Sequence, residues 1–103
     1  MEKEFWETVQ DGHVEEVKRI LRNTPNLDVN WTNPELHLIT PIHLACNTYD
    51  DVIVSILLAH PDINVNMKDK IGRTPFRNAC YNGHLSCVRL LLKDPRVKVN
   101  ARR

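Results

Sequence analysis

T40-P-I-H-L-A-C46 returns 34 residues later as T74-P-F-R-N-A-C80. The downstream text repeats at the same offset: S55-I-L-L-A-H-P-D-I-N-V-N66 aligns with R89-L-L-L-K-D-P-R-V-K-V-N100. A third, divergent copy opens the chain, where F5-W-E-T-V-Q-D-G-H-V-E-E-V-K-R-I-L21 aligns without a gap with F76-R-N-A-C-Y-N-G-H-L-S-C-V-R-L-L-L92. After it, P25-N-L-D-V-N30 matches P95-R-V-K-V-N100 once a single extra residue near Thr24 is allowed. A period of that length marks a repeat architecture, in which each unit stacks on its neighbour because it cannot bury its apolar face alone. It also turns the functional expectation from catalysis toward binding.

Each unit reads as two short antiparallel helices followed by an extended tip. In the third unit Thr74 is placed as the N-cap with Pro75 at the first helical position, where a missing N–H costs nothing. That helix is expected to end at Asn82-Gly83, with Gly83 supplying the left-handed geometry that reverses the chain. The second helix, His84 to Lys93, carries Leu85, Val88, Leu91 and Leu92 at helical spacing toward a core. Pro95 stops it, and V97-K-V-N100 leads out as an extended arm. All the glycines, Gly12, Gly72 and Gly83, fall at turns, so none remains for a phosphate loop.

T-P-x-H-x-A-C, G-H-x-x-x-V-x-x-L-L and V-N-x-x-D-x-x-G-x-T-P together resemble the ankyrin repeat over essentially the full chain. The resemblance implies an all-α solenoid of stacked helix–turn–helix units with β-hairpin-like tips. One domain is expected over 1–103, with units at about 1–39, 40–73 and 74–103. The unit is one residue longer than the family's usual 33, where P61-D-I-N-V-N66 and P95-R-V-K-V-N100 replace a glycine-containing G-A-D-V-N. By the same resemblance, His43 bonds the turn before its helix, and Cys46 and Cys80 pack as small residues between helices. The V-N asparagines Asn30, Asn66 and Asn100 have a structural reading first, as turn residues. In ankyrin proteins that asparagine can be hydroxylated, which the resemblance carries to Asn66 and Asn100.

Three departures bear on shape. Tyr49 stands where Gly12 and Gly83 stand, so the turn of the second unit must accept a non-glycine residue. Asp51 occupies the position of Val14 and Leu85, so either the helix start shifts by one residue or that spot is open. N30-W-T-N-P-E-L-H-L-I-T40 is two residues longer than N66-M-K-D-K-I-G-R-T74 and lacks its glycine, so the first tip should be larger and differently shaped. Polar Glu4, Glu7, Gln10, Asp11, Glu15, Glu16 and Arg19 make the first unit read as an N-terminal cap. The third unit looks unfinished. It is a fragment of a longer array, or its open end packs on a partner or on itself, or Arg and Lys stems cover it.

Charge is uneven although its total is +1. Residues 1–39 sum to −4, 40–73 to −1 and 74–103 to +6, a polarity that bears on steering and self-association. Three cysteines, an odd number, argue for a reducing compartment rather than a disulfide framework. M1-E-K-E-F-W6 lacks the apolar core of a secretory signal, and no apolar run approaches membrane-spanning length. A cytoplasmic protein is expected, with the nucleus as the other intracellular option and no membrane partner.

Chemistry finds little to stand on. His37, His43 and Cys46 lie close in sequence, but no C-x-x-C or H-x-x-x-H pair is present, so no metal site is assigned. Cys80 and Cys87 are placed inside packed helices, where a thiol is usually inert, and His84 is accounted for by its G-H turn. No catalytic residue, cofactor or small-molecule substrate is assigned; the expectation is a non-enzyme. The basic residues of the third unit (Arg73, Arg77, Arg89, Lys93, Arg96, Lys98, Arg102, Arg103) lack the aromatic platform that single strands favour. They read as a solvated surface first, an acidic protein partner second and nucleic acid a distant third.

The family grips protein partners with a concave face of tips and first helices. Carried onto this chain, that face is Trp31, Thr32, Leu36, His37 and Ile39 on the first tip, and Lys68, Lys70, Ile71 and Arg73 on the second. The first helices add Gln10, Asn47, Thr48, Tyr81 and Asn82. Trp31, Tyr81 and Arg73 lead, because aromatic and arginine side chains are the commonest hot spots. Trp31 has a second placement, folded back over Leu36 or Leu38 to close the long tip. The apolar cluster Leu36, Leu38 and Ile39 is unusual for a solvated loop and hints at a contact surface. The functional expectation is a protein–protein interaction module. The alternative is a self-associating scaffold unit, or a fragment of an array that regulates a fused domain.

Overall fold

Thr40 and Thr74 stand in extended backbone, and each hydroxyl accepts the N–H three residues on, from His43 and Arg77. A proline follows each at the first helical position, so two of the short helices start as their sequences require. The computed structural model describes residues 1–98. Among them it holds six helices: α1 (Glu2–Gln10), α2 (Val14–Asn23), α3 (Pro41–Asn47), α4 (Asp51–Leu58), α5 (Pro75–Tyr81) and α6 (Leu85–Leu92). They form three antiparallel pairs, α1–α2, α3–α4 and α5–α6. The first helices stack as α1–α3–α5 and the second helices as α2–α4–α6. The architecture is the all-α helix-pair solenoid expected, with a loop reaching out between one pair and the next.

The core runs through the stack. Phe5, Trp6 and Val9 of α1 and Val17 and Ile20 of α2 meet Ile42, Leu44, Ala45 and Cys46 of α3. Ile53, Val54 and Leu57 of α4 and Ala79, Cys87 and Leu91 of the last pair continue it. Each fully buried aliphatic side chain contributes roughly 1.5–3 kcal/mol relative to exposure. The turns inside each pair use left-handed backbone at matching places, Gly12 (φ 72), Tyr49 (φ 63) and Gly83 (φ 71). Tyr49 therefore does accept a glycine geometry. At Gly12 a methyl group would sit 3.4 Å from the Asp50 carboxylate, an ordinary contact, so the restriction there is the backbone angle.

The helix starts settle the Asp51 question. α2, α4 and α6 begin at aligned residues behind the N-caps His13, Asp50 and His84, so nothing shifts. The spot is instead open: Val14 and Asp51 are half-buried and Leu85 is 66% exposed. Asp50 caps by accepting Ile53 N–H, whereas His13 and His84 make no side-chain cap bond among the described residues.

Two expectations for the last pair are corrected. Cys80 repeats the position of Cys46 but is exposed rather than packed between helices. Leu85 and Leu92 were assigned to the core face, yet they are 66% and 55% exposed, while Cys87 points inward with Leu91. The cause is the same in both cases. Nothing among the described residues stacks on that side of α5 and α6, so the periodic pattern faces solvent there.

Candidate functional site: the two tips and the first helices

The frame is built before the surface. Buried Asn33 heads the first tip: its N–H donates to Ile39 O at 3.1 Å, and its own carbonyl accepts from Leu36 and Leu38. Buried Asp69 heads the second in the same way, with its N–H to Arg73 O at 2.9 Å and its carbonyl accepting from Gly72. The Asn33 side-chain oxygen accepts Glu35 N–H, and the Asp69 carboxylate accepts the N–H groups of Ile71 and Arg73 and the Arg73 guanidinium. Burial pushes the Asp69 carboxyl up, but these donors outweigh it and hold its pKa below the usual carboxylate value.

The first tip spans two more residues between its closing pair, as its sequence required. His37 (φ 55) and Leu38 (φ 58) absorb them in left-handed backbone, where the shorter tip uses Gly72 (φ 92). Non-glycine residues in that region cost of order 1–3 kcal/mol each. Lys70 N–H donates to His37 O at 2.8 Å, so the strained turn of one tip is bonded to the next tip.

Deeper links tie one unit to the next. His43 sits fully buried under Thr40, with its Nδ1 2.8 Å from the Thr40 hydroxyl and its Nε2 2.8 Å from Arg73 O. A carbonyl only accepts, so Nε2 carries the proton and Nδ1 accepts. Burial pushes the His43 pKa down, against the pull of the Arg73 carbonyl and the Asp69 charge. Trp6 does the same work in the first unit, donating Nε1–H to Ile39 O at 2.9 Å. Ile39 and Arg73 are the residues just before Thr40 and Thr74, so an indole and an imidazole clamp equivalent carbonyls.

Asparagines stitch the opposite edge. Asn30 donates to Asp62 O at 2.9 Å and accepts from Asn64 N–H at 2.8 Å. Asn66 donates to Arg96 O at 2.8 Å and accepts from Lys98 N–H at 3.0 Å. Their side chains are structural, but they bond the next unit rather than their own turn. Asn100 lies outside the described residues.

The expected contact residues separate into two groups. Trp31 and Ile39 are half-buried against the core, and Arg73 is half-buried on Asp69, so these three belong largely to the frame. Thr32 and Asn47 are half-buried, Asn47 Oδ1 lies 3.5 Å from Asn82 Nδ2, and the Thr48 hydroxyl donates to Ala45 O. Leu36, His37, Lys68, Lys70, Ile71, Thr48, Tyr81 and Asn82 are exposed, as is Gln10. Ile71 at 65% and Tyr81 at 88% are the barest large hydrophobic side chains among them. The tips are brought together through Lys70 and His37, and the ends of α3 and α5 through Asn47 and Asn82.

Sequence reasoning passed over Trp6, Asn33 and Asp69. Each carried a signal. Trp6 aligns with His43 once Phe5 is set against Ile42, and Asn33 and Asp69 stand at one spacing after V-N. Among the described residues no three His, Cys, Asp or Glu side chains are grouped to hold a metal ion. No helix there is long and apolar enough to cross a membrane.

Comparison with known proteins gives similarity to repeat-containing stretches. Human Rabankyrin-5 is 49% identical over 37 residues, covering 36% of this chain and 3% of that protein. The SMC5-SMC6 complex localization factor protein 1 of Bos taurus is 37% identical over 75 residues, covering 69% and 7%. Inversin of Danio rerio is 48% identical over 45 residues, covering 44% and 4%. The chain thus spans less than a tenth of the length of these relatives. The family profile for ankyrin repeats matches three copies over residues 5–103. With its capped T-P helices, stacked pairs and bonded tips, the chain belongs to the ankyrin-repeat family, whose members generally serve as protein–protein interaction modules.

Proposed function

We propose that the chain is a non-catalytic module that grips a protein partner with its tips and the exposed ends of its first helices. Leu36, His37, Lys68, Lys70, Ile71, Tyr81 and Asn82 make the contact, with Thr48 and Asn47 at its edge. Trp31, Thr32, Ile39 and Arg73 act beneath them, holding the tips in place. The observation that carries this reading is the exposure of Ile71 and Tyr81 beside a rigidly bonded frame. Such side chains do nothing for the fold and suit a hot spot once covered. The basic side chains Lys68 and Lys70 favour a partner with acidic residues flanking an apolar anchor.

The test is affinity capture with mass spectrometry, comparing the native chain with Tyr81→Ala and Ile71→Asp. Both variants should keep the far-UV circular dichroism of the native chain and lose the same captured protein. Unchanged capture by two folded variants ends the proposal.

A second reading, head-to-tail self-association, draws on the charge gradient from −4 to +6 and on bare Leu85 and Leu92. Light scattering across salt concentration separates the two, since a monomer at every ionic strength excludes association through opposite ends.

A further inference from the structure

Cys46 and Cys87 come from helices that do not stack on each other. Cys46 lies on α3, a first helix, and Cys87 on α6, a second helix of the next pair, yet their sulfurs are 2.9 Å apart. Both are free thiols and both are buried, whereas Cys80 is exposed and outside the pair. A covalent sulfur–sulfur bond is about 2.05 Å long, so the two sulfurs need to close by under an ångström to bond.

The surroundings treat the two thiols differently. Cys87 sits in the first turn of α6, where backbone N–H groups are unsatisfied and His84 adds no side-chain cap. A helix N-terminus favours thiolate. Cys87 also borders a cleft of about 230 Å³ that it shares with Tyr49, Asp51 and His84. His84 is 4% exposed, and neither of its ring nitrogens has a partner among the described residues. An unsatisfied imidazole beside a small cleft and a sulfur offers a hydrogen-bonding cradle for a small polar molecule. Cys87 itself is 1% exposed, and Cys46 is 0% exposed. The neighbouring Cys87 sulfur and burial push its pKa up, while the same contact draws Cys87 below a free thiol's value against the opposing effects of burial and the Asp51 charge.

We propose that Cys46 and Cys87 are a redox-active dithiol, oxidised by hydroperoxides entering the His84 cleft to an intramolecular disulfide that pins α3 to α6. The Cys87 thiolate attacks the terminal peroxide oxygen, the O–O bond breaks, and the departing alkoxide takes a proton to leave as an alcohol (water, for hydrogen peroxide). Cys87 is then a sulfenic acid. The Cys46 sulfur attacks Cys87, the S–O bond breaks, and the hydroxide leaves with the Cys46 proton as water. Two thiols lose two electrons in all, and one peroxide is reduced. In a reducing compartment such a bond is transient and reversible, the usual form of a redox-sensing pair. The bridge joins residues 41 apart in sequence and ties the second helix pair to the third, so the oxidised chain resists unfolding more than the reduced one.

The deciding experiment uses the full chain carrying Cys80→Ser, which leaves only the pair. Reduced protein, alkylated in denaturant, should gain two adducts. After hydrogen peroxide it should gain none, remain a monomer, and yield a peptide cross-link between the Cys46 and Cys87 segments that dithiothreitol reverses. The urea midpoint should rise on oxidation. Two alkylated thiols after peroxide, a sulfinic acid at Cys87 beside a free Cys46, or disulfide-linked dimers would each overturn the proposal. Adding Cys46→Ser should stall Cys87 at a sulfenic acid that dimedone traps. If that variant does not fold, the Cys80→Ser result decides alone.

Discussion

Cys46 and Cys80 hold the same place in the same seven-residue motif, and the helices around them start alike, with a threonine cap and a proline. One thiol is enclosed and the other faces solvent. The difference extends along both pairs: Val54 of α4 is fully buried, while Val88 at the same place in α6 is only half-buried. The motif sets the helix, but a neighbouring pair on both sides is what turns a helix face into core. In a stack, burial is a property of position in the row as much as of the residue.

The sharpest way to break that comparison is a pair of truncations. Leu57→Ala should cost about 2–5 kcal/mol in urea unfolding, and Leu92→Ala no more than about 0.5 kcal/mol. Equal costs would mean that the outer face of α6 is covered in solution.

The clamps come next. Trp6→Phe leaves Ile39 O without its donor and should cost about 1–3 kcal/mol. That loss should not vary with pH. The His43 clamp should, because burial holds its folded pKa below the unfolded value of about 6.5. A depressed folded pKa means the unfolded chain binds the proton more readily. The His43 contribution is therefore complete above about pH 6.5 and declines as acid carries the pH down through its folded value. Melting temperatures from about pH 7.5 to 5 should show this slope, and His43→Gln should flatten it. Asp69 acts in a lower window. Its stabilisation is present above the unfolded carboxylate pKa of about 3.9 and is lost as pH falls through its depressed folded value.

Smaller effects sharpen the picture of the stitched edge. Asn66→Ala removes two exposed hydrogen bonds to the last segment and should cost about 1 kcal/mol, with faster hydrogen exchange at Lys98. Smallest of all, Tyr81→Ala should shift stability by no more than about 0.5 kcal/mol. A larger loss would place Tyr81 in the frame and undercut its assignment to the partner surface.

Much of this was readable beforehand because repeated residues do repeated work. The T-P starts, the glycine-like turn at Tyr49 and the longer first tip all follow from local chemistry, whereas the V-N asparagines were read only as turn residues and their bonds to the next unit were not. Other features were hidden for identifiable reasons. Trp6 and His43 share no side-chain chemistry beyond one N–H donor, so their equivalence shows only when both carbonyl partners are in place. Trp31 and Ile39 look like contact residues in a polar loop, but the loop folds them onto the core. The inward turn of Cys87 depended on which side of α6 had a neighbour, and no periodicity contains that.

One bond between the tips has a consequence for recognition. Because the Lys70 N–H donates to the carbonyl of His37, movement of either loop must break that bond or carry the other loop with it. A ligand landing there meets a surface whose shape is already set, so little disorder must be surrendered on docking. On the partner surface proposed above, selectivity would rest on the exposed side chains of the tips, and exchanging a few of them should redirect binding without rebuilding the scaffold.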